Sequence, residues 1–152
     1  MRCANARASS RCGSPARRLA GPTSRDAPTR YINVDLFDPC WLWPQAPLDG
    51  VRDIAIDAAP LRYNFQLAHD ITSVVPRPAP STPHGELIVS RDGCDGERVA
   101  TVPLPARAEA DGVAHLVVSL PPTSGTHDLC FRFSGRSRDP LWAIDRARLE
   151  TR

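Results

Sequence analysis

Few residues in this sequence have the types and spacing that catalysis requires. Its four histidines, His69, His84, His115 and His127, are scattered along the chain. A catalytic nucleophile needs a neighbouring base and a third group that orients the base, and no serine here stands in the motif of a nucleophile elbow. His127 follows Thr126 at the start of a predicted strand, which favours a hydrogen-bonded loop histidine over a general base.

The carboxylates do not suit sugar hydrolysis either, since that reaction needs two carboxyl groups at the point of cleavage. Beyond residue 30 the chain has only four glutamates, which we interpret as exposed strand or loop positions: Glu86, Glu97, Glu109 and Glu150. The sequence also lacks a glycine-rich loop between a strand and a helix, the motif that binds phosphate groups. The sequence therefore predicts a protein that is not an enzyme.

The five cysteines leave two interpretations open. Cys3 and Cys12 lie near the N-terminus, and Cys40, Cys94 and Cys130 lie further along the chain. The last three could form one disulfide with a leftover thiol, or remain three reduced thiols. Their spacing matches no zinc motif, which would need close pairs of Cys or His. We therefore interpret these cysteines as small buried or half-buried side chains rather than as metal ligands.

Two tryptophans, Trp41 and Trp43, stand two residues apart between prolines, so an extended backbone would place both on one side. They could form a platform on which a sugar ring stacks, or a plug that covers one end of the core. The plug is favoured, because the chain has few other large side chains to fill its interior.

The charge is unevenly distributed along the chain. Residues 1–30 contain seven arginines and one acid, Asp26, whereas residues 31–152 contain twelve arginines and sixteen acids. This basic leader is a candidate nucleic-acid arm or transit peptide, or else a disordered segment or an upstream reading frame attached to a truncated gene. Disorder is favoured, since low hydrophobicity with high charge does not offset the cost of ordering. We therefore expect no nucleic-acid partner.

No membrane partner is expected either. The sequence has no run of about 18 apolar residues that could span a bilayer. The leader also lacks the apolar segment of about 7–15 residues that a secretory signal needs. The sequence alone leaves the compartment open.

The rest of the chain, residues 31–152, predicts an all-β domain. Apolar residues alternate at Leu129, Phe131 and Phe133, and a second strand follows from Leu141 after a polar loop. The clearest hairpin spans 85–105. Its turn at 92–96 contains two Asp-Gly dipeptides, Asp92-Gly93 and Asp95-Gly96. Further strands are expected at these positions: 31–37, 51–57, 61–67 after a break at 58–60, 71–75 and 113–120. About nine short antiparallel strands at this spacing are typical of a β-sandwich or jelly roll.

Three ordered stretches carry a family resemblance: GELIVSRDGCDGERVATVPLP (85–105), GTHDLCFRF (125–133) and DPLWAIDRARL (139–149). Together with 31–43 and 61–70 they resemble the C-terminal module of bacterial β-N-acetylhexosaminidases of glycoside hydrolase family twenty. More widely, the stretches are similar to the family-six carbohydrate-binding modules, which are jelly rolls. The resemblance covers about residues 31–150.

This resemblance implies a parent enzyme that removes terminal N-acetylhexosamine from glycans or chitin fragments. The catalytic domain of that family carries an adjacent Asp-Glu pair after a His-x-Gly-Gly stretch, and this sequence has neither. The resemblance therefore implies a noncatalytic accessory domain, truncated or detached from its enzyme. Its location would be periplasmic or secreted if it follows the parent family.

The resemblance also implies sites. Family-six modules hold a structural calcium between an acid of the first strand and the Asp of the last, positions that correspond to Asp35 and Asp145. They bind sugar through an Asn that corresponds here to Ala143, so Trp41, Trp43 and Trp142 are the remaining ligand-binding candidates. Two functions stay open: a module that binds an N-acetylhexosamine-containing glycan, and a structural domain that packs against a hexosaminidase catalytic domain without binding sugar.

Overall fold

The computed structural model describes residues 32–33, 40–61, 68–137 and 140–151. The basic leader, residues 1–30, lies outside the described residues. Within them, eight strands form: β1 (Ile32–Asn33), β2 (Cys40–Pro47), β3 (Val51–Leu61), β4 (Glu86–Arg91), β5 (Glu97–Pro103), β6 (Ala114–Ser119), β7 (Thr126–Phe133) and β8 (Leu141–Thr151). None of the described helices is long and apolar enough to cross a membrane.

The strands make two four-stranded antiparallel sheets, with the orders β1-β8-β3-β6 and β2-β7-β4-β5. The predicted β-sandwich is therefore confirmed. Phe133 of β7 stacks on Trp142 of β8 across the two layers, with ring centroids 5.9 Å apart. Strand β5 also contacts β6. The layers are thus aligned so that β8 faces β7 and the edge strands β1 and β2 lie on the same side of the sandwich.

The alternation that the sequence shows in β7 builds the centre of the core. Leu129, Phe131 and Phe133 are all buried and face inward. In β3 and β6 the inward residues Ile54, Ile56 and Val118 are also fully buried. The two strands predicted at 125–133 and from 141 onward are both present, but they belong to opposite sheets and do not pair with each other.

The predicted hairpin at 85–105 is confirmed as β4 and β5. Its turn is fixed from two sides. Asp92 has a φ of 62° and its N–H donates to the Asp128 carbonyl at 2.7 Å, while Cys94 forms a disulfide with Cys130 of β7. The turn is therefore folded back over the outer face of the sheet that contains β4 and β7.

The expected break at 58–60 is wrong, because β3 continues through these residues to Leu61. Pairing with β6 stops at Ala58, whereas pairing with β8 continues through Pro60, which lies opposite Trp142. A proline is tolerated where its strand has become an edge. The local register shift between Asp57 and Ala58 accommodates the change.

One other expectation also differs from the structure. Residues 71–75 were expected to form a strand, but Ala68–Ser73 is a 3-10 helix, in which the Thr72 hydroxyl donates to the His69 carbonyl. The segment 41–43 has an extended backbone, as part of strand β2. Most of the strands expected at 31–37 and 61–67 lies outside the described residues.

Candidate functional site

The two tryptophans of β2 lie side by side at one edge of the sandwich. Trp41 and Trp43 are cross-strand partners of Phe131 and Leu129, so both indoles are on the inward face of their sheet. Each is half-buried and packs against the core. Their ring centroids are 6.0 Å apart and their planes are inclined by 31°. Because β2 is an edge strand, part of each ring remains accessible, and we call this pair the tryptophan edge.

A β-bulge follows the tryptophan edge and holds its end in place. Between Trp43 and Ala46 the pairing with β7 shifts, and Gln45 takes a φ of 56°. The Gln45 N–H donates to a carboxylate oxygen of Asp128 at 2.8 Å. Pro44 and Gln45 are exposed next to the half-buried indoles. The bulge thus fixes the backbone of an exposed polar residue, Gln45, two positions after Trp43.

Trp41 also belongs to the core. Its ring stacks on fully buried Phe131, with centroids 4.8 Å apart and an interplanar angle of 29°. One face of the indole is therefore used inside the domain. Trp41 therefore covers part of the core, as the plug interpretation expects. Because it is only half-buried, its accessible part could still stack on a sugar, as the platform interpretation expects.

Trp142 is in a different environment from the tryptophan edge. It is only 5% exposed and stacks on Phe133 between the sheets. Ala143, at the position where family-six modules use an Asn, is fully buried as well. A sugar ring needs an exposed aromatic face for stacking, so we retain Trp41 and Trp43 as ligand-binding candidates and assign Trp142 to the core.

Of the two acids that the resemblance implies as calcium ligands, Asp145 is among the described residues and Asp35 is not. Asp35 lies outside the described residues, and Asp145 is half-buried in β8. Asp145 is the unpaired residue of a bulge, because Arg146 pairs with Asp57 and Ile144 pairs with Ala58. Calcium takes six to eight oxygen ligands, and in the described residues no group of three acidic, His or Cys side chains includes Asp145. A calcium ion here stays a prediction of the resemblance.

A histidine between two aspartates lies on the outer surface of the other sheet. His115 Nδ1 is 2.7 Å from an Asp57 carboxylate oxygen, and its Nε2 is 3.3 Å from Asp111. Arg146 lies 3.9 Å from the second oxygen of Asp57. The hydrogen bond to Asp57, followed by that to Asp111, raises the pKa of His115. With both ring nitrogens facing carboxylates, the protonated ring donates on both sides and links β3, β6 and the loop before β6.

His127 is held in a similar way at the start of β7. Its Nδ1 lies 2.8 Å from Asp92, and its Nε2 lies 3.1 Å from the Ser124 carbonyl. The bond to Asp92 and then that to Ser124 raise the pKa of His127. His127 is therefore hydrogen-bonded as expected, but it lies in strand β7 rather than in a loop.

Glu86 was expected to be exposed, and this expectation is wrong, because it is only 2% exposed. One carboxylate oxygen accepts bonds from the Ser81 N–H and hydroxyl at 2.9 Å each and from the Thr82 N–H, and the other accepts from the Ser134 hydroxyl. Burial raises the pKa of Glu86, but the bonds from Ser134, Thr82 and Ser81 outweigh it and lower the pKa to about 2. Glu86 thereby fixes the proline-rich loop to β4.

Two further features lie away from the tryptophan edge. A shallow, open depression of about 300 Å³ lies between the turn after β2 and the loop before β7, lined by Arg52, Thr123 and Ser124 among others. In the part of the chain that the structure describes, one group of three side chains could hold a metal ion, namely Cys40, Cys94 and Cys130. The sequence did not indicate this group, because its members are far apart along the chain.

Comparison with known proteins identifies the fold. No protein-family model matches the sequence, and neither does any curated protein. The structure is similar to that of a glycoside hydrolase family 43 arabinoxylan arabinofuranohydrolase from Bacillus subtilis in complex with cellotetraose, with a TM-score of 0.52 and 18% identity. This match covers 74% of the present chain and 19% of that enzyme, so the chain spans about a fifth of its length.

A second similar structure is a family 6 carbohydrate-binding module from Clostridium cellulolyticum in complex with xylose. The TM-score is 0.50 and the identity 14%, and the match covers 73% of the present chain and 70% of that module. At such identities the likeness concerns the fold. The described domain is a β-sandwich of the kind found in a carbohydrate-binding module.

Proposed function

We propose that this domain is a noncatalytic carbohydrate-binding module, and that the tryptophan edge is its binding surface. The observation that carries the proposal is the pair of half-buried indoles on one side of an edge strand, in a sandwich that resembles a module solved with xylose. Adjacent aromatic rings offer flat apolar surfaces that match the faces of pyranose rings. Exposed Gln45, two positions after Trp43, supplies polar atoms.

The expected affinity is modest. Covering about 100 Å² of one indole at about 25 cal/mol per Å² contributes about 2.5 kcal/mol. Two such contacts with a few hydrogen bonds correspond to dissociation constants in the range of roughly millimolar to micromolar. Since the rings are already packed against Phe131 and the core, little side-chain freedom is lost when a sugar binds.

We further propose that the ligand contains N-acetylhexosamine and that the domain accompanies a β-N-acetylhexosaminidase. This finer assignment rests on the sequence resemblance alone. Its three stretches correspond to the β4–β5 hairpin, to β7 and to β8. The alternative sugars are those of the two similar structures, xylose and a cello-oligosaccharide.

The second candidate function is a structural domain that packs against a hexosaminidase catalytic domain and binds no sugar. The stacking of Trp41 on Phe131 favours it, because that contact uses the indole to complete the core. In this case the tryptophan edge would have no affinity for oligosaccharides. The separately expressed catalytic domain would form a stable complex with this chain.

One titration separates the two functions. The full chain is titrated with chitotetraose, xylotetraose and cellotetraose while tryptophan fluorescence is recorded. A saturable change with any of them supports the carbohydrate-binding module, and preference for chitotetraose supports the hexosaminidase assignment. Flat titrations with all three, together with a stable complex with the catalytic domain, would support the structural function instead.

A further inference from the structure

The three cysteines of the domain converge on the outer face of one sheet. Their sulfur atoms all lie within 4.8 Å of one another. Cys130 is in β7 and Cys40 is in β2, where Cys40 pairs with Arg132 and Leu42 pairs with Cys130, so the two cysteines are diagonal neighbours on the same face. Cys94 comes from the turn that folds over this face.

We propose that, when its disulfide is reduced, this cluster of Cys40, Cys94 and Cys130 is a binding site for a thiolate-preferring cation such as zinc. The Cys94–Cys130 disulfide is then the oxidised, metal-free form of the site. An external dithiol reduces the disulfide to two thiols and is itself oxidised to a disulfide. The cation then displaces the thiol protons and binds three thiolates.

The distances fit such a site. Zinc binds thiolates at about 2.3 Å in tetrahedral geometry, which places neighbouring sulfurs about 3.8 Å apart. Sulfurs that already lie within 4.8 Å of one another need only small movements to reach this spacing. Three protein thiolates leave one of the four positions for a water molecule or another donor.

Burial and charge also fit. Cys40 and Cys94 are 5% exposed and Cys130 is 1% exposed, and the paired strands β2 and β7 hold Cys40 and Cys130 in place, so the cluster is buried. Zinc with three thiolates has a net charge of −1, which a buried site has to balance. The guanidinium of Arg132 donates to the Cys94 carbonyl beside the cluster and supplies one positive charge.

The test uses the full chain with Cys3→Ser and Cys12→Ser, which removes the two thiols of the leader and keeps the cluster. The protein is reduced with a phosphine under anaerobic conditions and titrated with Co²⁺, and then with Zn²⁺. We expect one equivalent of Co²⁺ to bind with a thiolate-to-metal charge-transfer band, Zn²⁺ to bleach that band, and the oxidised protein to show none.

Two comparisons secure the result. Cys40→Ser in the same background should lose the band, while its near-ultraviolet circular dichroism shows that it is folded. In the protein with Cys40 intact, zinc should protect all three cysteines from alkylation, as read by mass spectrometry. The proposal is overturned if the reduced protein takes up no metal or stays unfolded with zinc, if Cys40→Ser binds unchanged, or if zinc gives no protection.

Discussion

Glu86 shows how a residue that looks like a surface acid becomes a structural anchor. The carboxylate is buried and accepts four hydrogen bonds from Ser81, Thr82 and Ser134. A buried charge without partners would be strongly destabilising, and these donors replace the water it has lost. The backbone N–H of Glu86 also donates to the Ser134 hydroxyl at 2.7 Å, so the backbone and the carboxylate of Glu86 both bind Ser134.

Replacing this carboxylate should therefore destabilise the domain. Glu86→Gln keeps the shape but removes the charge from four hydrogen bonds, and we expect a loss of about 1–3 kcal/mol in the free energy of unfolding. Urea denaturation at neutral pH measures the loss. Glu109→Gln, which changes an exposed loop acid, is the matched control and should stay within about 0.5 kcal/mol of the parent.

The same substitution carries a pH signature. The folded pKa of Glu86 is lowered from 4.5 to about 2, so its contribution is fully present above the unfolded pKa and is lost as pH falls through about 2. The stability difference between the parent and Glu86→Gln should thus shrink below a pH of about 4.5. A difference that stays constant down to a pH of about 2 would contradict this account.

His115 should show the opposite pH dependence. Its folded pKa is raised above 6.5 by Asp57 and Asp111, so its stabilising effect is fully present below the unfolded pKa and is lost as pH rises through the folded pKa. His115→Gln should destabilise the domain at low pH and approach the parent as pH increases. Urea midpoints across this range measure the effect, and a difference that does not change with pH would contradict it.

The disulfide joins the turn between β4 and β5 to strand β7. Cys94 and Cys130 are separated by 36 residues, and the loop they close contains β5 and β6. For a loop of this length the chain-entropy estimate is a stabilisation of about 3–4 kcal/mol. Reduction without added metal should lower the melting temperature, and Cys94→Ser should lower it to a similar extent. Equal melting temperatures with and without reductant would show that the turn is fixed by its hydrogen bonds alone.

The bulge in β8 gives the calcium prediction its test. Asp145 lies half-buried at this bulge, and the resemblance implies that it binds calcium together with Asp35. Calcium should then raise the melting temperature, and chelation or Asp145→Asn should remove that increase. An identical melting temperature in calcium and in chelator would rule out a structural calcium ion in this domain.

Local patterns predicted the strands well where alternation and turn residues agreed. Leu129, Phe131 and Phe133 gave β7, and the Asp-Gly steps after β4 gave the hairpin. The continuity of β3 through Pro60 was not predictable, since it depends on where its neighbour β6 ends. The sequence shows only that a proline is present. Whether a strand tolerates that proline depends on which neighbouring strands pair with it.

The candidate sites were predicted less well, because they depend on contacts between distant segments. The spacing of Trp41 and Trp43 correctly indicated a shared side, and their edge position came only from the sheet order. The donors to Glu86 lie four, five and 48 residues away, and no periodic pattern connects them. The three cysteines likewise meet only after both sheet pairing and the turn are formed.

The arrangement of the two layers explains why ligand binding is assigned to one edge. With β8 over β7, the buried pair of Phe133 and Trp142 fills the middle of the sandwich. The tryptophan edge lies beside it at the margin, on the side opposite to β5 and β6. The few aromatic side chains of the interior therefore stabilise the fold in its centre and leave ring surface accessible where the sheet ends.

Calorimetric titration of the parent, Trp43→Ala and Trp142→Phe with chitotetraose, xylotetraose and cellotetraose tests the central claim most directly. Trp43→Ala removes a half-buried ring of the tryptophan edge, whereas Trp142→Phe keeps an aromatic ring in the core. We predict binding by the parent and by Trp142→Phe, and a weakening of at least about tenfold in Trp43→Ala, since one stacked ring contributes about 2.5 kcal/mol. Equal binding by the parent and Trp43→Ala, or no binding of chito-, xylo- or cello-oligosaccharides by the parent, would contradict the account.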